Sequence, residues 1–455
     1  MRGRLHLLAF CLAFLASLGF AAQPVAAQSI LRDAETEELL RNMLAPLVEA
    51  SELSPGNVEV VLINDGSINA FVAGGQAIYV HSGLLNEAQT ANEVQGVLAH
   101  ELGHITAGHA VRFEERSKAA NGISILSLLL GVGAALAGAG DAAMGVIAAG
   151  QQAAMGSFLS FNRNQEASTD LAGARYLSGA GITGKGMISF FEKLRGNEIR
   201  AGYSQADEAA YARTHPLSGD RIQTLRGLLA EDAAWDAPDD PVLQQRFVRA
   251  KAKLYGYLAE PKRTLAAFPP SDTSVPARYA RAYAYHKDAR IDMAIAEADA
   301  LLVAEPENPW FLELKGQILL ESGRPKDSLV PLRRATELTR AHPLIAGLLG
   351  HALIATEDKA NFAEAEEVLR ASVQKDRYNP FAWYQLGVVY EARGDIPRAR
   401  LASAEQQVMN RLYPQALANA QAAEAYLPYG SPDWIRAQDV ALEARAELER
   451  IKKRR

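Results

Sequence analysis

The chain has 455 residues, 49% hydrophobic and 22% charged, with a formal charge of −6. That length lets two domains each bury a core, and the acidic balance excludes a protein built to hold nucleic acid. The single cysteine, Cys11, excludes a disulfide framework, so packing, and a metal where one binds, must supply the stability.

Arg2 and Arg4 precede an apolar run from Leu5 to Phe20, and Val25-Ala26-Ala27 forms a small-residue cleavage signal before Gln28. Residues 1–27 read as a secretory signal peptide. Its removal leaves no cysteine and a formal charge of 45 − 53 = −8. Between Val58 and His81, short β-rich runs (Val58 to Ile63, Ile68 to Val72, Ala77 to Val80) alternate with the turn signals Asn64-Asp65-Gly66 and Gly74-Gly75. The pattern predicts a small meander whose exposed edge can hold an extended peptide by strand addition.

His100-Glu101-Leu102-Gly103-His104 follows on a predicted helix. Thr90 and Glu93 form a capping box, and Val94, Val97, Leu98, Leu102 and Ile105 recur at helical spacing. At i and i+4 the imidazoles lie about 40° apart around the helix and roughly 6 Å along it, so both reach one ion. Glu101, about 100° away, can touch a metal-bound water without acting as a ligand. Ala107 and Ala110 stand where an HExxHxxGxxH site needs glycine and histidine, which excludes that peptidase class. His109 lies about 180° around the helix from His100 and reads as structural. Gly103 and Gly108 predict close approach by another element or a substrate.

From Ile123 to Gly140 eighteen residues carry no charge, and a second Ala/Gly-rich run reaches Gly150. Eighteen is near the lower limit for a membrane span. The Gly, Ala and Ser content favours instead a helical hairpin, an insert of about residues 120–157, that covers the site or rests its 123–150 stretch on a membrane surface. A zinc hydrolase also needs a third protein ligand. In Asn162-Arg163-Asn164-Gln165-Glu166-Ala167-Ser168-Thr169-Asp170, Glu166 and Asp170 share a helix face. Either Glu166 ligates while Asp170 accepts the free N–H of a ligating histidine, or the pair is a solvated helix face.

The acidic, Pro-containing stretch from Asp232 to Pro241 divides the chain into domains of residues 28–235 and 236–455. Beyond it Pro276, Pro309, Pro343, Pro380 and Pro414 are separated by 33, 34, 37 and 34 residues. Gly316, Gly350 and Gly387 follow their prolines by seven, and Gly323 and Gly394 by fourteen. Trp383-Tyr384-Gln385-Leu386-Gly387-Val388-Val389-Tyr390 matches the W-x₂-L-G-x₂-Y signature of a tetratricopeptide repeat. Stacked helix pairs of this kind create an extended surface suited to binding partners.

Asn64, Asn69-Ala70-Phe71 with Gly74-Gly75, HELGH at 100–104, Asn162-Arg163 with Glu166 and Asp170, and His215-Pro216 with Arg221 occur in an order that resembles the HtpX-like zinc metallopeptidase family. The resemblance spans roughly residues 35–230. It implies an α+β zincin-type (gluzincin) metalloprotease domain with a small sheet, here followed by an all-α repeat domain. It also implies His100, His104 and Glu166 as ligands of one Zn²⁺, with Glu101 as general base. Arg221 or His215 is then the expected oxyanion donor, and His215, on the loop before a helix capped by Ser218, is alternatively a fourth ligand in a resting state. With the signal peptide and repeats, the resemblance implies a periplasmic endopeptidase acting on unfolded or stalled outer-membrane proteins and docked to their assembly machinery. The competing reading is a repeat-based chaperone in which proteolysis is secondary.

Overall fold

A computed structural model describes residues 29–54, 56–109, 163–201, 215 and 218–454. The signal segment 1–27 and the apolar insert of about 120–157 lie outside the described residues, and no helix among those described is long and apolar enough to cross a membrane.

Four strands form one sheet: β1 (Ser29–Ile30), β2 (Glu59–Asn64), β3 (Ala70–Ala73) and β4 (Ala77–His81), in the order β1-β2-β4-β3. The strand segments fall where the alternation puts them, but the sheet is mixed and not a meander. β4 lies between β2, to which it is parallel, and β3, to which it is antiparallel. Ile78 and Val80 are fully buried, so the central place goes to the strand with most apolar surface to cover. The connection from β2 to β3 must then cross over. Its backbone at Gly66 and Ser67 presses on Gly83, where any Cβ would stand 2.2 Å from the Gly66 carbonyl oxygen. Gly74 and Gly75, both at positive φ, close the β3–β4 turn.

Helix α1 (Ala34–Ala50) and the short α2 (Ser82–Glu87) lead to α3 (Ala91–Thr106), which carries the HELGH run. Thr90 Oγ1 caps α3 by accepting from Glu93 N at 3.1 Å, while Glu93 reaches back to Gln89 N. Every residue of α3 from Ala91 to Ile105 is buried, as expected of a helix packed on all sides. Two helices cross it: α4, residues 163–179, and α5 (Lys185–Ala201). Gly96 lies against the Met187 backbone of α5, and Gly103 lies against Thr169 of α4. A side chain at either position would force the neighbour away by about 1 Å. Gly103 therefore meets the predicted close approach. At Gly108 no described residue comes within 4 Å of a Cβ position, and its positive φ of 65° favours glycine.

After α6 (Gly219–Ala230), α7 (Pro241–Leu258) and the short α8 (Pro261–Ala267), helices pair in succession. The pairs are α9 (Val275–Lys287) with α10 (Ile291–Ala304), and α11 (Pro309–Glu321) with α12 (Pro325–Leu338). Next come α13 (Pro343–Ala355) with α14 (Phe362–Lys375), α15 (Pro380–Ala392) with α16 (Ile396–Met409), and α17 (Tyr413–Glu424) with α18 (Pro432–Arg454). The periodic prolines occupy the first or second helical position of each leading helix, where a missing N–H costs nothing. Gly316 and Gly350 each admit a leucine of the partner helix, Leu332 and Leu369, to within 2.4 Å of where a Cβ would stand.

The two regions share structure. Phe247, Ala250 and Leu254 of α7 belong to the same core as Met43 and Leu47 of α1 and Val97 and Leu98 of α3. Conversely, Ala34 of α1 packs in the core of the first repeats with Tyr279, Trp310 and Ile345. Around it Glu35 accepts from Arg249 Nε at 2.7 Å and Tyr279 Oη at 2.9 Å, and Asp33 pairs with Lys253 at 2.5 Å. Buried charges hold only when paired in this way.

Candidate metal centre

α3 supplies His100, Glu101 and His104, all three buried. His100 and Glu101 are 0% exposed. α4 crosses at Gly103, which brings Glu166 and Asp170 onto the histidines. The fourth contributor, His215, comes from the segment preceding α6. One ligand atom each from His100, His104, Glu166 and His215 lies within 4.8 Å of all the others.

The spacing of these atoms identifies what they can hold. His100 Nε2 lies 3.3 Å from His104 Nε2, 3.3 Å from His215 Nδ1 and 3.4 Å from Glu166 Oε2. His104 Nε2 is 3.4 Å from Glu166 Oε1, and His215 Nδ1 is 3.2 Å from both Glu166 oxygens. A tetrahedral zinc site with arms of about 2.0–2.1 Å has edges of about 3.3 Å. Three imidazole nitrogens and a carboxylate are also the borderline donor set that Zn²⁺ takes. The residues fit the ion.

Burial and neighbouring charge act differently on the four groups. Burial pushes the His104 imidazole down, to about 3, so it stays neutral and able to ligate. For His100 burial also works downward, but hydrogen bonds and charges from Asp170 and Glu166 outweigh it and lift the ring to about 10. Glu166 and Asp170, despite burial that opposes ionisation, are held below the usual carboxylate range, Glu166 by His215 and the other histidines and Asp170 by His100 and Arg221. The pocket therefore holds two ionised carboxylates, stabilised by the histidines and Arg221 around them.

Asp170 Oδ1 is 3.0 Å from His100 Nδ1, on the opposite side of the ring from the cluster. Arg221, on α6 after its cap Ser218, donates from Nε to Asp170 Oδ2 at 2.8 Å and from Nη2 to Asp170 Oδ1 at 2.9 Å. Its Nη2 also lies 3.3 Å from Glu166 Oε2. Arg221 thus faces the carboxylates. Glu101 is different: burial raises its pKa, and among the described residues neither oxygen has a hydrogen-bond partner, though His215 Nε2 stands 3.5 Å from Oε1. Orphaned, buried carboxylate oxygens beside a ligand cluster are suited to meet a water or substrate proton.

One neighbour escaped sequence reasoning. Phe191 of α5 sets its ring edge-on to His100 at 5.5 Å, and nothing distinguishes it in sequence from Phe190 beside it. His109, read from sequence as structural and not as a ligand, lies 3.0 Å from His104, ring nitrogen to ring nitrogen, because α3 ends before it and Gly108 turns the chain.

Residues 33–229 match the family described as Peptidase family M48. The chain is 25% identical over 393 residues to a "Beta-barrel assembly-enhancing protease" of Yersinia pestis, covering 82% of this chain and 76% of that one. It is 26% identical over 379 residues to the protein of the same name in Escherichia coli K12, covering 81% of this chain and 75% of that one. Among solved structures, YrrB, described as "a TPR protein with an unusual peptide-binding site", aligns with a TM-score of 0.32 and 23% identity, covering 38% of this chain and 91% of that one.

Proposed function

We propose, from the premise that residues 33–229 are a family M48 metallopeptidase domain, that this metalloendopeptidase is exported, uses zinc, and degrades misfolded or stalled outer-membrane proteins in the periplasm. Residues 1–27 direct the export, and the repeats in residues 236–455 dock the enzyme to the outer-membrane assembly machinery. The likeness to the two beta-barrel assembly-enhancing proteases supports the setting. The observation that carries the chemistry is the tetrahedral spacing of His100, His104, Glu166 and His215 beside the orphaned carboxylate of Glu101.

His100, His104 and Glu166 hold the ion. When bound, zinc supplies Lewis acidity, polarising a peptide carbonyl and lowering the pKa of water from 15.7 to about 7. Glu101 takes the proton of the attacking water and returns it to the leaving amine. Asp170, gripped by Arg221, keeps the His100 proton on Nδ1 and so leaves Nε2 free to ligate. Arg221 acts through Asp170 and Glu166. At rest His215 fills the fourth corner, and its withdrawal admits substrate. An extended client adds to the outer edge of β3, which packs against α3.

The test compares wild type with Glu101→Gln, measuring bound zinc and degradation of an unfolded outer-membrane protein. Retained zinc with cleavage reduced by about 10²-fold or more is the expected result. Full rescue of a deletion strain by the Gln variant would instead make assembly, and not proteolysis, the main activity.

A further inference from the structure

His104 turns Nε2 toward the ligand cluster, so its other nitrogen decides which tautomer it adopts. That nitrogen, Nδ1, lies 3.0 Å from His109 Nδ1, and both rings are buried. At that distance one nitrogen donates and the other accepts, since two lone pairs or two protons would repel. A His104 that ligates through Nε2 carries its proton on Nδ1 and must be the donor. His109 is then the acceptor, with its own proton on Nε2.

The chain takes a particular path to make this contact. A continued helix would place residue 109 about 140° around from residue 104, on another face. Instead α3 ends at Thr106, and Gly108, at φ of 65°, turns the backbone. His109 is returned to the back of His104. Thr169 Oγ1, one residue before Asp170 on α4, flanks the same His109 nitrogen at 3.2 Å. α4 therefore borders both histidines from behind: Asp170 on His100, and Thr169 on His109.

We infer that His109 is a positioning residue for the metal centre: it accepts the Nδ1 proton of His104, fixing the tautomer and ring angle with which His104 presents Nε2. The inference rests on His104 being a ligand, and it makes the two histidines unequal. His100 is backed by an ionised carboxylate that raises its basicity. His104 is backed by a neutral imidazole, which orients the ring without adding charge.

The test measures zinc affinity by chelator competition, and the visible spectrum of the cobalt-substituted protein, in the full-length chain. The variants are His109→Asn, whose Oδ1 can stand in for the lost Nδ1, and His109→Leu, which fills the space without an acceptor. His109→Leu is expected to weaken zinc binding about 10- to 100-fold and alter the cobalt spectrum, with His109→Asn staying within about threefold of wild type. The inference is overturned if Leu binds zinc as tightly as wild type, or if Asn is as weak as Leu. His104→Ala separates the two levels. Retained stoichiometric zinc in that variant would refute His104 as a ligand, whereas its loss, with tight binding in His109→Leu, refutes only the role of His109.

Discussion

His215 and Glu101 face each other across 3.5 Å, Nε2 to Oε1, while the opposite ring nitrogen of His215 lies 3.2 Å from Glu166. One imidazole thus stands between the candidate base and the candidate ligands, in the space where water and a scissile carbonyl must both fit.

Removing that ring is expected to free the space. His215→Ala should raise proteolysis about three- to tenfold, if the closed state dominates at rest, with zinc content unchanged. Peptide cleavage assays paired with metal analysis check it. A fall in kcat with zinc retained would assign His215 to oxyanion stabilisation.

Asp170→Asn should weaken zinc binding about 10- to 100-fold, because an amide still bonds to His100 but no longer pulls charge onto it. It also leaves Arg221 facing Glu166 alone. Chelator titration reads the loss, and activity should recover in excess zinc.

Glu313 gives the pH prediction. Its Oε2 is sealed without a hydrogen-bond partner in the groove where α1 meets the repeats, and burial raises its pKa to about 7 although Lys253 opposes the shift and Asp33 and Glu35 add to it. A folded-state value above the unfolded one means stability that is full below about pH 4.5 and lost as pH rises through about 7. Glu313→Gln removes the penalty. It should be more stable than wild type at pH 8, by up to about 3 kcal/mol, and gain nothing at pH 4. Chemical denaturation at the two pH values measures the difference.

The edge of β3 can be tested at one atom. His81 N donates to the Asn69 carbonyl, so Phe71 and Ala73 also point their backbone groups into the sheet, and Val72 points its N–H outward. Val72→Pro removes that N–H and no ladder bond. Losing one substrate hydrogen bond of about 1–1.5 kcal/mol should lower kcat/KM about tenfold for extended substrates, with the melting temperature little changed.

Much of this architecture was legible because local chemistry specified it. Thr90 and the apolar spacing of α3 mark a buried helix, the i,i+4 carboxylates of Glu166 and Asp170 face one way, and the repeat prolines mark helix starts. Other features leave no local trace. Strand alternation is the same whichever neighbour a strand chooses, so the insertion of β4 between β2 and β3 could not be read. The return of His109 depends on one torsion at Gly108. Glu357 shows the converse: it adopts φ of 58° at the place in its repeat where Gly323 and Gly394 sit, so the glycine rhythm was incomplete while the turn itself persisted. The pairing of Asp33 with Lys253 and of Glu35 with Arg249 leaves no local trace either, because the partners are more than two hundred residues apart.

That last separation governs how the molecule is made. Glu35 and Arg249 are 214 positions apart, and the core containing Met43 also needs Phe247 and Leu254. As the chain emerges, the hydrolytic site cannot reach its finished packing until α7 has appeared, and α1 has no seat until the first repeats stack behind it. Contacts of such long sequence separation form late. The repeats therefore act as a clock on the protease: a chain interrupted before they are made carries the HELGH helix without the scaffold that completes it.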